Sequence, residues 1–229
     1  MSDFFRFPHT PHLAWLGEGS PRDDKLLSGE VVVEEKLDGA NLGISLAADS
    51  TLRIQNRGQY LKPPYSGQFS RLSSWLGIHQ NALTSHLGPH QILFGEWCAA
   101  RHSIPYSGLP DWFMVFDVYD RQTERFLSTM RRDALAIRLG FAVVPCLLRG
   151  KTTLPSLKQI IISRNSRFNL APPEGVVIRR EDADWLLSRA KLVHPGFTQA
   201  IKEHWTRRGI EWNELANPPI SKMRLSPKT

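Results

Sequence analysis

Seven short runs rich in apolar and β-branched residues, most of them closed by a turn signal, constrain this chain more than any other feature. They are Val31-Val32-Val33, Leu42 to Leu46, Leu52-Arg53-Ile54, Gln91 to Phe94, Trp112 to Val118, Ala142-Val143-Val144 and Gly175 to Ile178. Runs of this length and composition read as strands, because branched and aromatic side chains suit a pleated, half-buried surface. Longer mixed spacing marks helices over Gly67 to Ile78, Thr129 to Leu139 and Ser156 to Ser163, with Pro155 just ahead of the last. Strands interrupted by only a few helices predict an α+β fold of largely antiparallel sheets flanked by helices.

With 229 residues, 41% of them hydrophobic, the chain can bury a core in one large domain without disulfides. Thr198 to Arg208 reads as a capped helix with Ile201 and Trp205 on one face and Gly209 as its stop, and Asn217 to Thr229 as a loosely ordered basic tail. The expected division is a main domain over 1–197 and a short helix with a tail over 198–229.

Cys98 and Cys146 are far apart and lack paired zinc-ligand spacing, so both read as buried small apolar residues in a reduced, cytoplasmic protein. The N-terminal residues show no basic segment followed by an apolar stretch, and no run approaches the ~20 apolar residues that cross a bilayer. No membrane association is expected. The net charge of +7 and a pI near 9.7 suit a polyanionic partner if the charge is clustered, but a solvated positive surface explains them equally well. His86, His90, His102 and His194 lack zinc-pair spacing, and Tyr60, Trp75, Tyr106 and Trp112 read as core residues before they read as an RNA-stacking groove.

Chemistry enters with Glu35-Lys36-Leu37-Asp38-Gly39-Ala40-Asn41. A Lys-x-Asp-Gly run arises by chance in about one in twenty chains of this length, so alone it marks no more than an exposed turn lysine. Its position after Val31 to Val33 and before a glycine turn would present the amine at the rim of a pocket. Five further segments follow in order: Gln55-Asn56-Arg57-Gly58, Phe94-Gly95-Glu96-Trp97, Val115-Phe116-Asp117-Val118, Glu174-Gly175-Val176-Val177-Ile178-Arg179 and Arg189-Ala190-Lys191-Leu192. Together, from about Val31 to Phe197, they resemble the motifs of the covalent nucleotidyltransferases, the superfamily of polynucleotide ligases and mRNA capping enzymes. Lys-Leu-Asp-Gly-Ala-Asn and Glu-Gly-Val-Val-Ile-Arg look most like the RNA ligase branch typified by phage T4 RNA ligase 2.

The resemblance implies an adenylation domain that takes ATP and Mg²⁺ or Mn²⁺ and joins RNA 3′-OH and 5′-phosphate ends. Lys36 would be the nucleophile. At an ordinary pKa of about 10.4 only ~0.1% of such an amine is neutral near pH 7, so partial burial, a divalent metal and nearby cations are expected to disfavour the ammonium. By motif position, Glu35 would bring its backbone to the adenine, Asp38 and Gly39 would shape the turn, and Asn41 would position substrate groups. Arg57 would lie near the ribose and the acceptor 5′-phosphate, and Glu96 at the ribose hydroxyls. Phe116 would stack on adenine, with an ordinary core phenylalanine as the competing reading, and Asp117 would brace its strand. Glu174 would be the metal-associated carboxylate. Both glutamates could otherwise be half-exposed strand-end residues. Lys191 would contact the α-phosphate, while Arg189 stands where many RNA ligases carry a second lysine, keeping the charge but changing the donor geometry.

DNA ligases and capping enzymes usually append an oligonucleotide-binding barrel. Residues 198–229 are too few for one, which argues against a capping guanylyltransferase, and no nicotinamide-gripping module argues for an NAD-dependent ligase. Three readings remain: an ATP-dependent RNA ligase acting on a nicked duplex or single-stranded ends, alone or beside an end-healing enzyme; a DNA-strand ligase or other nucleotidyltransferase; and a non-catalytic RNA-binding relative.

Overall fold

The computed structural model describes residues 4–15, 25–200 and 209–216, with the backbone alone for 198–200. Among the described residues ten strands form two antiparallel sheets: β1 (Val31–Lys36), β2 (Ala40–Leu46), β3 (Leu52–Gln55), β4 (Tyr60–Leu61), β5 (Gln91–Trp97), β6 (Phe113–Asp120), β7 (Arg125–Phe126), β8 (Cys146–Gly150), β9 (Gly175–Glu181) and β10 (Leu186–Val193). One sheet runs β10-β9-β1-β8, the other β4-β3-β2-β5-β6-β7. The helices are α1 (Leu72–His86), α2 (Thr129–Leu139), α3 (Leu154–Ser163) and α4 (Pro195–Ala200).

Each sheet has its own apolar core. Leu42, Ile44, Leu93, Phe113 and Val115 of the six-stranded sheet pack with Leu72, Trp75 and Leu83 of α1 and with Leu135 and Leu139 of α2. Val31, Val33, Val176, Ile178 and Leu192 of the four-stranded sheet pack with Leu157, Ile160 and Ile161 of α3. Local chemistry sets the helix ends. Ser128 Oγ accepts from Arg131 N at the start of α2, and Gly140, at φ 73°, closes it in the left-handed conformation. Thr153 Oγ1 accepts from Ser156 N ahead of α3, with Pro155 in its first turn.

The α+β reading and all three internal helices hold, with adjustments that have local causes. The Gly67 to Ile78 helix divides into a 3-10 turn, Gly67–Phe69, and α1, which continues to His86; the positive φ of Gly67, 58°, keeps the first residues out of an α-helix. Ala142 to Val144 is no strand but a single bridge, in which Val144 N bonds Val115 O and Val115 N bonds Ala142 O. Pro145 then offers no N–H to extend the ladder. Cys98 is buried as expected, whereas Cys146 is exposed, because it starts β8, the outermost strand of its sheet. The C-terminal helix begins at Pro195 rather than Thr198, and 201–208 and 217–229 lie outside the described residues. Among the described residues no helix is long and apolar enough to cross a membrane.

Candidate active site

Lys36 is the last residue of β1, and the antiparallel register pairs it with Gly175, the first residue of β9. That register brings Glu174 beside it from 138 positions away: Lys36 Nζ donates to Glu174 Oε2 at 2.7 Å. The two side chains are 23% and 10% exposed, so the pair is shielded yet reachable. A Cβ at Gly175 would run into the backbone of Leu192 on β10, so this crossing of β9 and β10 needs glycine.

From β1 the chain turns through Gly39 into β2. Gly39 N donates to Glu96 Oε1 on β5 at 3.0 Å, and a Cβ there would lie 2.6 Å from Trp97 O; only glycine lets the turn sit this close. Asn41 stands opposite Glu96 across the β2–β5 pair. Its Oδ1 is buried and has no hydrogen-bond partner among the described residues, an acceptor left open beside the cavity. The cavity, about 340 Å³, is lined from both sheets: Lys36, Gly39, Asn41, Arg57, Glu96 and Lys191 at one end, Phe116, Asp117, Arg179 and Arg189 at the other. Asn41 and Arg57 also border a shallower hollow of about 520 Å³ with Gly58, Gln68 and His102.

Two carboxylates and two ammonium groups share the first end. Burial pushes Glu96 up to about 7, against the pull of Lys36 and helped by the charge of Glu174. Burial also raises Glu174, with Lys36 opposing. Burial and then the Lys36 charge lower Lys191. For Lys36 itself burial works against the charge, but Glu174 and then Glu96 outweigh it and hold the amine above the ordinary lysine value. This corrects the sequence expectation: the protein's own residues favour the ammonium, because the nearest charges are carboxylates rather than cations.

At the other end Phe116 occupies a β-bulge. Phe94 pairs with Asp117 and Gly95 with Val115, which leaves Phe116 unmatched in the ladder and turns its ring to the cavity. Its carbonyl is taken up by two buried arginines, Arg132 Nη1 at 2.8 Å and Arg179 Nη1 at 3.3 Å. Arg179 also pairs with Asp117 at 2.7 Å and with Glu181 at 2.7 Å, and Arg132 with Glu34 at 2.6 Å. Asp117 thus ties β6 to β9 and β10 through Arg179 and Arg189.

The structure brings together Lys36, Gly39, Asn41, Arg57, Glu96, Phe116, Glu174, Arg189 and Lys191, and redirects others. Glu35 borders the cavity, but its carboxylate turns aside to accept from Ser166 Oγ at 2.5 Å and Arg167 N at 2.9 Å, and burial raises its pKa. Asp38 accepts from Ser103 N and Ile104 N, while its own N–H donates to Tyr106 Oη, so it ties down the 103–106 loop rather than facing the cavity. Arg189 shares the β10 face of Lys191, yet its guanidinium pairs with Asp117 and lies 4.4 Å over the Phe7 ring and 4.3 Å over Phe126. Sequence reading missed Phe7, Pro8 and Thr10, which also line the cavity; the alternation Phe5-Arg6-Phe7 was their only signal.

The sequence model of the RNA ligase family matches residues 29–193, all six motif segments included. The chain belongs to the RNA ligase family. Similar solved structures are those of Naegleria gruberi RNA ligase with pyrophosphate, at 19% identity and TM-score 0.66, and of two of its mutants, one with ATP and Mn at 18% and 0.65, the other with AMP and Mn at 17% and 0.65. Each covers 89% of this chain, which in turn spans 60% of the Naegleria chain. At such identities the likeness carries the fold: two antiparallel sheets with flanking helices. The family match names no branch within the family. A search of curated protein sequences finds no match.

Proposed function

We propose that this chain is an ATP-dependent RNA ligase working through a lysine–AMP intermediate, with residues 1–197 as its adenylation domain. The observation that carries the reading is the convergence of Lys36, Glu96, Lys191, Arg57 and Phe116 on one cavity, with Glu174 Oε2 2.7 Å from Lys36 Nζ. Residues that merely bind RNA would not need a shielded amine facing carboxylates.

In the first step Lys36 gives up a proton, with Glu174 Oε2 within reach of it, and Nζ attacks the α-phosphorus of ATP. The Nζ–P bond forms as the bond to pyrophosphate breaks. Lys191 offsets the charge that builds on the α-phosphate. Phe116 stacks on the adenine and Glu96 accepts from the ribose hydroxyls. In the second step an RNA 5′-phosphate, guided by Arg57 and Asn41, takes AMP and releases the amine; in the third the 3′-OH displaces AMP and closes the strand. Glu35, Asp38, Gly39 and Arg189 shape this pocket through the contacts described above.

A divalent cation suits the site. Two neighbouring carboxylates, both raised by burial, favour a positive partner, and Mg²⁺ or Mn²⁺ needs only one or two of them beside phosphate oxygens and water. Glu174 is the group to hold it. Bound there, it would add positive charge beside Lys36 to that of Lys191, which the two carboxylates outweigh. Within the family, Lys-Leu-Asp-Gly-Ala-Asn and Glu-Gly-Val-Val-Ile-Arg favour the branch typified by phage T4 RNA ligase 2. The free thiols of Cys98 and Cys146 suit a reduced, cytoplasmic setting, and ends lacking a 5′-phosphate or 3′-OH would call for a separate healing enzyme.

Incubation with α-labelled ATP and Mn²⁺, followed by denaturation, tests the first step. Label is expected on the wild-type protein and none on Lys36→Ala. Label persisting on Lys36→Ala sinks the nucleophile, and no label from any nucleotide favours a non-catalytic RNA-binding relative. Discharge of the adenylate only by nicks with DNA on the 3′-OH side would instead assign a DNA-strand ligase.

A further inference from the structure

The N-terminal segment 4–15 crosses from one sheet to the other along the cavity. At the six-stranded sheet Phe5 stacks on Tyr119 with ring centroids 3.7 Å apart, and its carbonyl accepts from the buried Gln55 Nε2 at 2.8 Å. Phe7 follows, 8% exposed, with Phe94 at 4.9 Å and Phe126 at 5.5 Å. It also meets the ring of Phe116 edge-on, at 5.3 Å and 72°. Pro8 and Thr10 continue the cavity wall. The segment then reaches the open edge of β10, where Lys191 N donates to Pro11 O and Leu13 N to Lys191 O, both at 2.8 Å. One strap therefore touches the side chain assigned to the base and the backbone of the residue assigned to the α-phosphate.

We propose that this strap selects the nucleotide, with Phe7 as the specificity-determining residue. The inference rests on the ligase reading of the cavity and extends it to base choice. The edge-to-face contact fixes the tilt of the Phe116 ring, and hence the plane in which a base can stack. Phe7 and Pro8 present an apolar wall without a side-chain hydrogen-bonding group. A purine edge that offers only C–H meets this wall without loss, whereas an exocyclic amino or keto group pressed against it gives up its water and gains no partner. Adenine carries an amino group of its own at C6, so the wall favours adenine over guanine for a base that turns its C2 side to Phe7, where adenine has C–H and guanine an amino group. A phenylalanine acting only as core filling would support the fold and leave base preference alone.

The test compares wild type with Phe7→Ala, Phe7→Leu and Phe5→Ala, reading the ATP KM, the maximal rate of Lys36 labelling, the ATP:GTP preference and the melting temperature. In both Phe7 variants the ATP KM is expected to rise about three- to tenfold with a smaller change in maximal rate, the size expected from one lost aromatic contact, and the preference for ATP should narrow. Phe5→Ala, which loosens the same strap outside the cavity, should keep the wild-type preference. Phe7→Leu carries the test if Phe7→Ala does not fold. Wild-type KM and preference in the Phe7 variants, or an equal narrowing in Phe5→Ala, would overturn the proposal while the ligase reading stands. Wild type that takes label from no nucleotide would remove both.

Discussion

Two clusters of charge lie on the same pair of sheets, one beneath each end of the cavity, and they are built differently. At the Phe116 end, Glu34, Asp117, Glu181, Arg132, Arg179 and Arg189 are closely paired, and Glu34, Asp117, Arg132 and Arg179 are each 1% exposed. At the Lys36 end, Glu96 on β5 and Glu174 just ahead of β9 bring negative charge to Lys36, burial raises both carboxylates, and Asn41 Oδ1 has no partner among the described residues. The first cluster completes a structure: two arginines take up a carbonyl that a bulge removed from its ladder. The second is left in tension. Buried like charges and an open acceptor favour the arrival of something that brings positive charge and hydrogen-bond donors, whereas closely paired charges favour nothing further.

If the contrast is sound, the clusters should fail in different currencies. The largest effect on folding is expected from Arg179→Met, which leaves Glu181 without its buried cation and Asp117 with Arg189 alone, and should lower stability by about 3–5 kcal/mol in urea denaturation. A loss no larger than that of Lys36→Met would break the comparison. Next comes Glu174→Gln, expected to slow Lys36 labelling by roughly a hundredfold, about 2.7 kcal/mol, with little change in melting temperature. A fall in melting temperature like that of Arg179→Met would move Glu174 into the structural cluster.

The smallest effect is a pH dependence. Glu96 sits near 7 in the fold against an ordinary 4.5, so between those values the folded protein binds more protons than the unfolded chain. Stability from this group is therefore lost as pH rises from about 4.5 to about 7. Glu96→Gln, which keeps an acceptor for Gly39 N, should flatten that slope and stabilise the ligand-free protein by about 2 kcal/mol at pH 8 relative to pH 5, measured by urea denaturation. A slope unchanged by the substitution would sharpen the comparison by assigning the tension to Lys36 and Glu174 alone.

Legibility in the sequence followed locality. β1, β2, β3, β5, β6 and β9 could be read from their β-branched and aromatic runs, and α2 from its longer mixed spacing, since each signal lies within a few residues of what it specifies. β4 and β7, two residues each, carry too little pattern to be seen. Among the site residues, Lys36, Glu96, Glu174 and Lys191 were readable through the order of six motifs. The partner of Arg189 was not, because the choice between a phosphate and Asp117 depends on which side chain β6 presents across the cavity.

By itself the sequence determined the strand-rich α+β class, the motif order that marks Lys36, Glu96 and Glu174 as candidates, and through it the family. Only the tertiary structure decided what those groups do to one another. A one-residue slip between β1 and β9 would turn Glu174 away from Lys36, and no local pattern encodes that register. The charge on Lys36 is likewise a sum over groups up to 138 positions away, and the strap enters the cavity through backbone bonds to Lys191 that any side chain would allow. Pattern reports the face a residue shows. Which groups meet there is set by long-range register and burial.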